Sequence, residues 1–153
     1  MAAGTFTLFS SNKDDLNPND LVGATVKMAL VTSSYTPDAA YNGHDEWADV
    51  SANEIANGNG YSTGGITLTN SVTGITGGFK FSTTSPSPIR WTASGGDIPT
   101  WKYAVMYVSG SLWGKTNPVV GYFEGESGST VPATTSGNNL DITVPTNGWF
   151  DVT

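Results

Sequence analysis

The stretch Trp101-Lys102-Tyr103-Ala104-Val105-Met106-Tyr107-Val108 decides the reading of this chain. It is the longest run rich in aromatic and β-branched residues without an internal Gly or Pro, which marks a strand. Alternation puts Trp101, Tyr103, Val105 and Tyr107 on one side and Lys102, Ala104, Met106 and Val108 on the other. Both sides are apolar past the first residue, so the strand is expected to be central rather than an edge. After a turn-rich segment from Gly110 to Pro118 comes Val119-Val120-Gly121-Tyr122-Phe123-Glu124, placed to pair with it as an antiparallel hairpin. Neither strand offers a group that titrates near neutral pH or a metal ligand, so function is sought at edges and loops.

Working outward, Thr5 to Phe9 alternates as a short entering strand, with Phe6 and Leu8 on one face. Asn12 to Asp20 is polar and turn-prone around Pro18. Its Asp15-Leu16-Asn17-Pro18-Asn19 run imitates the start of a calcium loop but carries Asp20 where the sharp turn needs Gly and Val26 where a bidentate Glu belongs. A solvated turn is expected there. Ala24 to Thr32 reads as a half-buried strand, Val26, Met28 and Leu30 inward and Thr25, Lys27 and Ala29 outward. His44 to Val50 is read as one or two helical turns, and Ser51-Ala52-Asn53-Glu54 has capping-box spacing before Asn57-Gly58-Asn59-Gly60 breaks it. Ile66 to Phe81 implies two or three strands, and Ile89-Arg90-Trp91-Thr92 another. Leu140 to Val144 and Trp149 to Val152, around Asn147-Gly148, imply a closing hairpin. The pattern predicts an all-β, single-domain antiparallel β-sandwich over residues 1–153, jelly-roll or immunoglobulin-like, with one very short helix. A barrel is the alternative. Residues 1–20 are assigned as a contact arm and 125–138 as a polar loop.

With 153 residues the chain suffices for one domain with a real core. Charged residues are only 12% of it, and 19 residues are Gly, so the surface is polar but weakly charged. The net charge of −7 and the scattering of the basic residues leave no stripe to neutralise phosphates, so no nucleic-acid partner is expected. Without Cys there are no disulfides and no thiolate chemistry. Met1 to Asp15 lacks a basic leader followed by an apolar stretch, so neither a signal peptide nor a membrane partner is expected.

His44 with Asp45, Glu46 and Asp49 is the one place where an imidazole meets carboxylates. With no second His, a zinc site is not expected, and the acids read as solvation of a short helix. No catalytic residue, metal or cofactor is assigned, and the chain is read as a non-enzyme. Five Trp and six Tyr raise a second possibility, a polysaccharide-binding platform with Trp47, Trp113 and Tyr61 as stacking rings.

Three segments, Leu21 to Pro37 (LVGATVKMALVTSSYTP), His44 to Leu68 (HDEWADVSANEIANGNGYSTGGITL) and Ile89 to Gly121 with its Trp91 and YAVMYVSG, together resemble a family of small virion proteins of tailed phages and prophages. The segments come in the family's order. The chain departs from it with Lys102 where Arg is common and with a Gly/Ser/Thr-rich Gly125 to Asn138. The resemblance implies a structural protein of the phage particle, a capsid decoration or cement protein on the head surface, with tail, neck or fibre as alternative locations. It implies the major capsid protein or other virion proteins as partners, and a homo-oligomer. Phe6, Leu8, Phe9, Trp47, Trp113, Trp149 and Phe150 are the residues expected to make those contacts.

Overall fold

A computed structural model describes all residues, Met1–Thr153. The strands are β1 (Thr7–Leu8), β2 (Val26–Val31), β3 (Ile66–Ile75), β4 (Gly78–Ser85), β5 (Ile89–Thr92), β6 (Tyr103–Val108), β7 (Ser111–Leu112), β8 (Lys115–Thr116), β9 (Val119–Glu124), β10 (Asn139–Ile142) and β11 (Phe150–Val152). Seven form one antiparallel sheet in the order β1-β9-β6-β2-β3-β4-β11, while β5 pairs with β10 and β7 with β8. The fold is all-β with one short helix, α1 (Pro18–Gly23), and a few 3-10 turns.

β6 lies inside the sheet, between β9 and β2, and every one of its residues is buried. Its register with β2 explains this. Val26, Met28 and Leu30 face Val108, Met106 and Ala104 on the inner side, and Lys27, Ala29 and Val31 face Tyr107, Val105 and Tyr103 on the outer side. The inner set joins the main core with Leu68, Phe81, Val120 and Phe123. β5 and β10 close over that core, presenting Ile89, Trp91, Leu140 and Ile142 inward and the Arg90–Asp141 ion pair outward at 2.6 Å. The outer set, Lys27 apart, joins a smaller core with Phe9, Tyr35, Trp47 and Val50.

The sheet curls because β3 serves two halves. Its start pairs with β2, its end pairs with β4, and the register shifts between Thr69 and Asn70, where Thr84 is an extra residue on β4 that bends the pair. The side chain of Asn70, turned into the interior there, accepts from Thr83 Oγ1 at 2.8 Å, and Thr83 Oγ1 in turn accepts from Trp149 Nε1 at 2.9 Å. This relay pins the bend to the last strand. The curl brings the two sheet edges within reach: Phe6, just before β1, stacks on Phe150 of β11 at 5.8 Å.

Several expectations need correction. α1 occupies part of the segment read as a solvated turn. Asn17 caps it by accepting from Asn19 N–H at 3.0 Å, Pro18 stands in its first turn, and Leu21 is driven into the main core. β2 is buried on both faces rather than half-buried, because a loop covers its outer side. Trp101 leaves the phase of its strand: it bridges to Val131 and its ring joins the inner core, opposite to Tyr103. β10 and β11 do not form a hairpin, since each finds a partner more distant in sequence, β5 and β4. The 125–138 segment is tied down by Trp101 to Val131 and Ile98 to Thr134 backbone pairs.

Candidate interaction face

The outer face of the sheet divides into a clasped half and an open half. The clasp is the loop between β2 and β3. Trp47 stacks flat on Tyr107, centroids 4.4 Å apart and planes 8° from parallel. Tyr35 meets Tyr103 edge to face at 5.8 Å, and its hydroxyl bonds His44 Nδ1 at 2.8 Å. A loop brought over a sheet carries backbone N–H groups with no ladder to join, and each needs an acceptor. The acids supply them. Asp49 Oδ2 accepts from the N–H groups of Asp45 (3.1 Å) and Glu46 (3.2 Å), and Glu46 Oε1 accepts from Thr116 N–H (2.7 Å). The capping box is therefore Glu46 to Asp49, around the 3-10 turn Trp47–Asp49, not Ser51 to Glu54 as the spacing suggested.

Glu54 has another task. Its Oε1 accepts from Tyr61 O–H and from Gly64 N–H, both at 2.6 Å, while Tyr61 Oη accepts from Leu30 N–H at 3.0 Å and Tyr107 O–H donates to Gly64 O at 2.8 Å. Burial and the bond to Glu54 push the Tyr61 phenol well above its ordinary range. Burial likewise pushes Tyr107 up to about 12. The Gly58 to Gly65 segment can lie this close because Gly65 adopts φ 74° and rests against Met28 O, where a Cβ would collide. The glycine-rich motif is thus a packing device for the sheet. No three His or acidic side chains converge in a metal-holding group.

The residues expected to make contacts are used mostly within the chain. Trp47, Tyr61, Phe9 and Trp149 are buried. Trp149 stacks on Phe123 at 5.7 Å, Phe6 lies against Trp149 and Phe150, Phe9 lies against Tyr122 at 5.3 Å, and Leu8 packs on the main core. Trp113 is half-buried, and its Nε1 donates to Asp20 Oδ2 at 3.2 Å. Trp47 and Tyr61 therefore offer no free ring face to a sugar, and the chain ends close the curl instead of reaching outward. The rings pack in cis because doing so carries none of the entropy cost of association. Residues 1–20 are likewise folded onto the domain. Thr143 N–H donates to Met1 O (2.8 Å), and buried Asn12 donates to the carbonyls of Asp45 (2.7 Å) and Val119 (2.8 Å).

The open half is a groove of about 510 Å³ along β1, β9 and β6. Its floor is Tyr103 and Tyr122, ring centroids 5.9 Å apart and nearly perpendicular, and its rim carries Thr5, Thr7, Glu124 and Ser127. Lys102 Nζ stands 3.7 Å from Glu124 Oε1 and 5.3 Å from the Tyr103 ring centroid. Sequence reasoning missed this place because both tyrosines read as ordinary strand residues. The available signal was two adjacent strands that each carry Tyr on the outer phase. No helix is long and apolar enough to cross a membrane. No family model, curated protein or solved structure matches the chain.

Proposed function

We propose that this chain is a non-enzymatic structural protein of a tailed-phage particle, a decoration or cement protein bound to the major capsid protein on the outside of the head, and that it acts as a homo-oligomer. The observation that carries this reading is where the family-like segments lie. VKMALV is β2, YAVMYV is β6, and the DEWADVSANEIANGNGYSTGG stretch is the clasp. What resembles the virion family is the framework itself, and the carboxylates of Glu46, Asp49 and Glu54 in the clasp are engaged with backbone N–H groups. A weakly charged exterior suits attachment through apolar and backbone contacts, since exposed ion pairs are worth only about 0–1 kcal/mol each. A protein that binds the assembled shell better than free subunits stabilises it by mass action, by about 2.7 kcal/mol per site at a concentration of 100 times Kd. Immunogold labelling of purified particles tests the location: gold over the head is expected, and gold confined to the tail or neck would overturn the head assignment.

A further inference from the structure

We propose that the open half of the outer face is a binding site for a neutral saccharide. A pyranose ring presents apolar C–H faces edged by hydroxyls, and the groove offers the complement. Half-buried Tyr122 supplies apolar ring surface beside the buried Tyr103, and Thr5, Thr7, Ser127 and Glu124 supply hydrogen-bonding groups around it. Its volume, about 510 Å³, falls within the range of roughly 300–1,000 Å³ usual for small-molecule sites.

The rings are held in place before any ligand arrives. Tyr103 is wedged edge-on by Tyr35 at 5.8 Å and by Tyr122 at 5.9 Å, and Tyr122 leans on Phe9 at 5.3 Å. Binding therefore orders little side-chain freedom, which favours a ligand that makes few contacts. The charge of the chain selects among sugars: Glu124 at the rim is balanced by Lys102 at 3.7 Å, which suits a neutral ligand, and the net −7 of the chain disfavours uronate, sulfated and sialylated glycans. The sheet edge beside the groove, β1, is only the two residues Thr7–Leu8, too short to offer an extended peptide a backbone ladder. The site is separate from the particle assignment: loss of saccharide binding would leave the location of the chain in the virion unaffected, and the reverse also holds.

The test uses the purified full chain on an array of neutral oligosaccharides built from glucose, galactose, mannose and N-acetylglucosamine, with heparin and hyaluronate as polyanions. Binders are then titrated while amide resonances are followed. Retention of a neutral oligosaccharide is expected, with shifts centred on Thr5, Thr7, Tyr103, Tyr122, Glu124 and Ser127. Tyr122→Ala and Ser127→Trp should each weaken binding at least about tenfold, equivalent to about 1.4 kcal/mol, and Trp113→Ala should leave it unchanged. Ser127 is exposed, so its substitution fills the groove without touching the core and decides the matter if Tyr122→Ala fails to fold. Absence of any neutral binder at millimolar sugar, preference for the polyanions, shifts centred elsewhere, or full affinity in Ser127→Trp would overturn the proposal.

Discussion

The two faces of β6 are covered in different ways. On the inner face Ala104, Met106 and Val108 meet strands β5 and β10, whose backbones satisfy one another in a ladder, so the seal needs only apolar side chains. On the outer face Tyr103, Val105 and Tyr107 meet an irregular loop, whose backbone N–H groups must be answered one by one. The inner cover is accordingly Ile, Leu and Trp, and the outer cover is Trp, Tyr and Val held by Glu46, Asp49 and Glu54. Here a dense run of acids, amides and glycines beside an aromatic residue forms a loop laid on a sheet, and Asp49 and Glu54 accept from that loop's backbone N–H groups. The outer cover also stops short, and the groove is what it leaves.

This comparison is broken most severely from the inner side. Phe123→Ala removes a fully buried ring that Trp149 stacks on and should cost about 3–5 kcal/mol, read as a fall in the urea midpoint with unchanged slope. A fall no larger than that of an exposed substitution would mean that the main core does not carry the fold. In the loop between β2 and β3, Glu54→Ala strands the Tyr61 hydroxyl and Gly64 N–H and should cost about 1–3 kcal/mol. Glu54→Gln, which keeps an acceptor oxygen, should cost less. Equal losses for the two variants would show that the charge of Glu54 matters more than its acceptor geometry.

Alkaline pH tests one buried phenol in each core, Tyr61 in the inner and Tyr107 in the outer. Tyr61 and Tyr107 are pushed up chiefly by burial, Tyr107 to about 12, so the folded state holds their protons more tightly than the unfolded chain does. Their contribution is complete below the ordinary tyrosine value of about 10 and drains away as pH climbs toward 12. Stability should therefore fall above about pH 10, and Tyr107→Phe should blunt the fall. A pH profile that is flat to 12 in the parent chain would contradict the buried placement of these phenols. The smallest effect is expected at Arg90→Met, which breaks the exposed pair with Asp141 on the solvent side of β5 and β10. Its loss should vanish at high salt, and a loss that persists would show that the pair also positions the strands.

The central strand could be read directly, since six consecutive residues of β6 have no polar side facing solvent and only an interior strand tolerates that. Strand existence was also readable for β2, β3, β4 and β5 from in-phase apolar residues, and for β9 from its nearness in sequence to the central strand. Partner choice was not: β5 meets β10 and β4 meets β11 across long separations, and local turn signals such as Asn147-Gly148 cannot report that. α1 did announce itself through Asn17-Pro18, an N-cap followed by a first-turn proline, but its polar setting masked the signal. The burial of Phe9, Trp47 and Trp149 was hidden for a different reason. Trp47 stands in a stretch without periodicity, which carries no sign of which way it faces, and Phe9 and Trp149 stand at strand ends, where alternation does not tell which cover each will meet. The groove depends on where the loop cover ends, a property of the assembled face that no single segment encodes.

The central claim is that this framework serves a repeated position on a phage head, and copy number tests it most directly. The chain is to be quantified in purified phage particles against the major capsid protein by calibrated gel densitometry. A lattice decoration predicts copies in a fixed, small-integer proportion to the capsid subunits. Six or twelve copies per particle, or none, would contradict it.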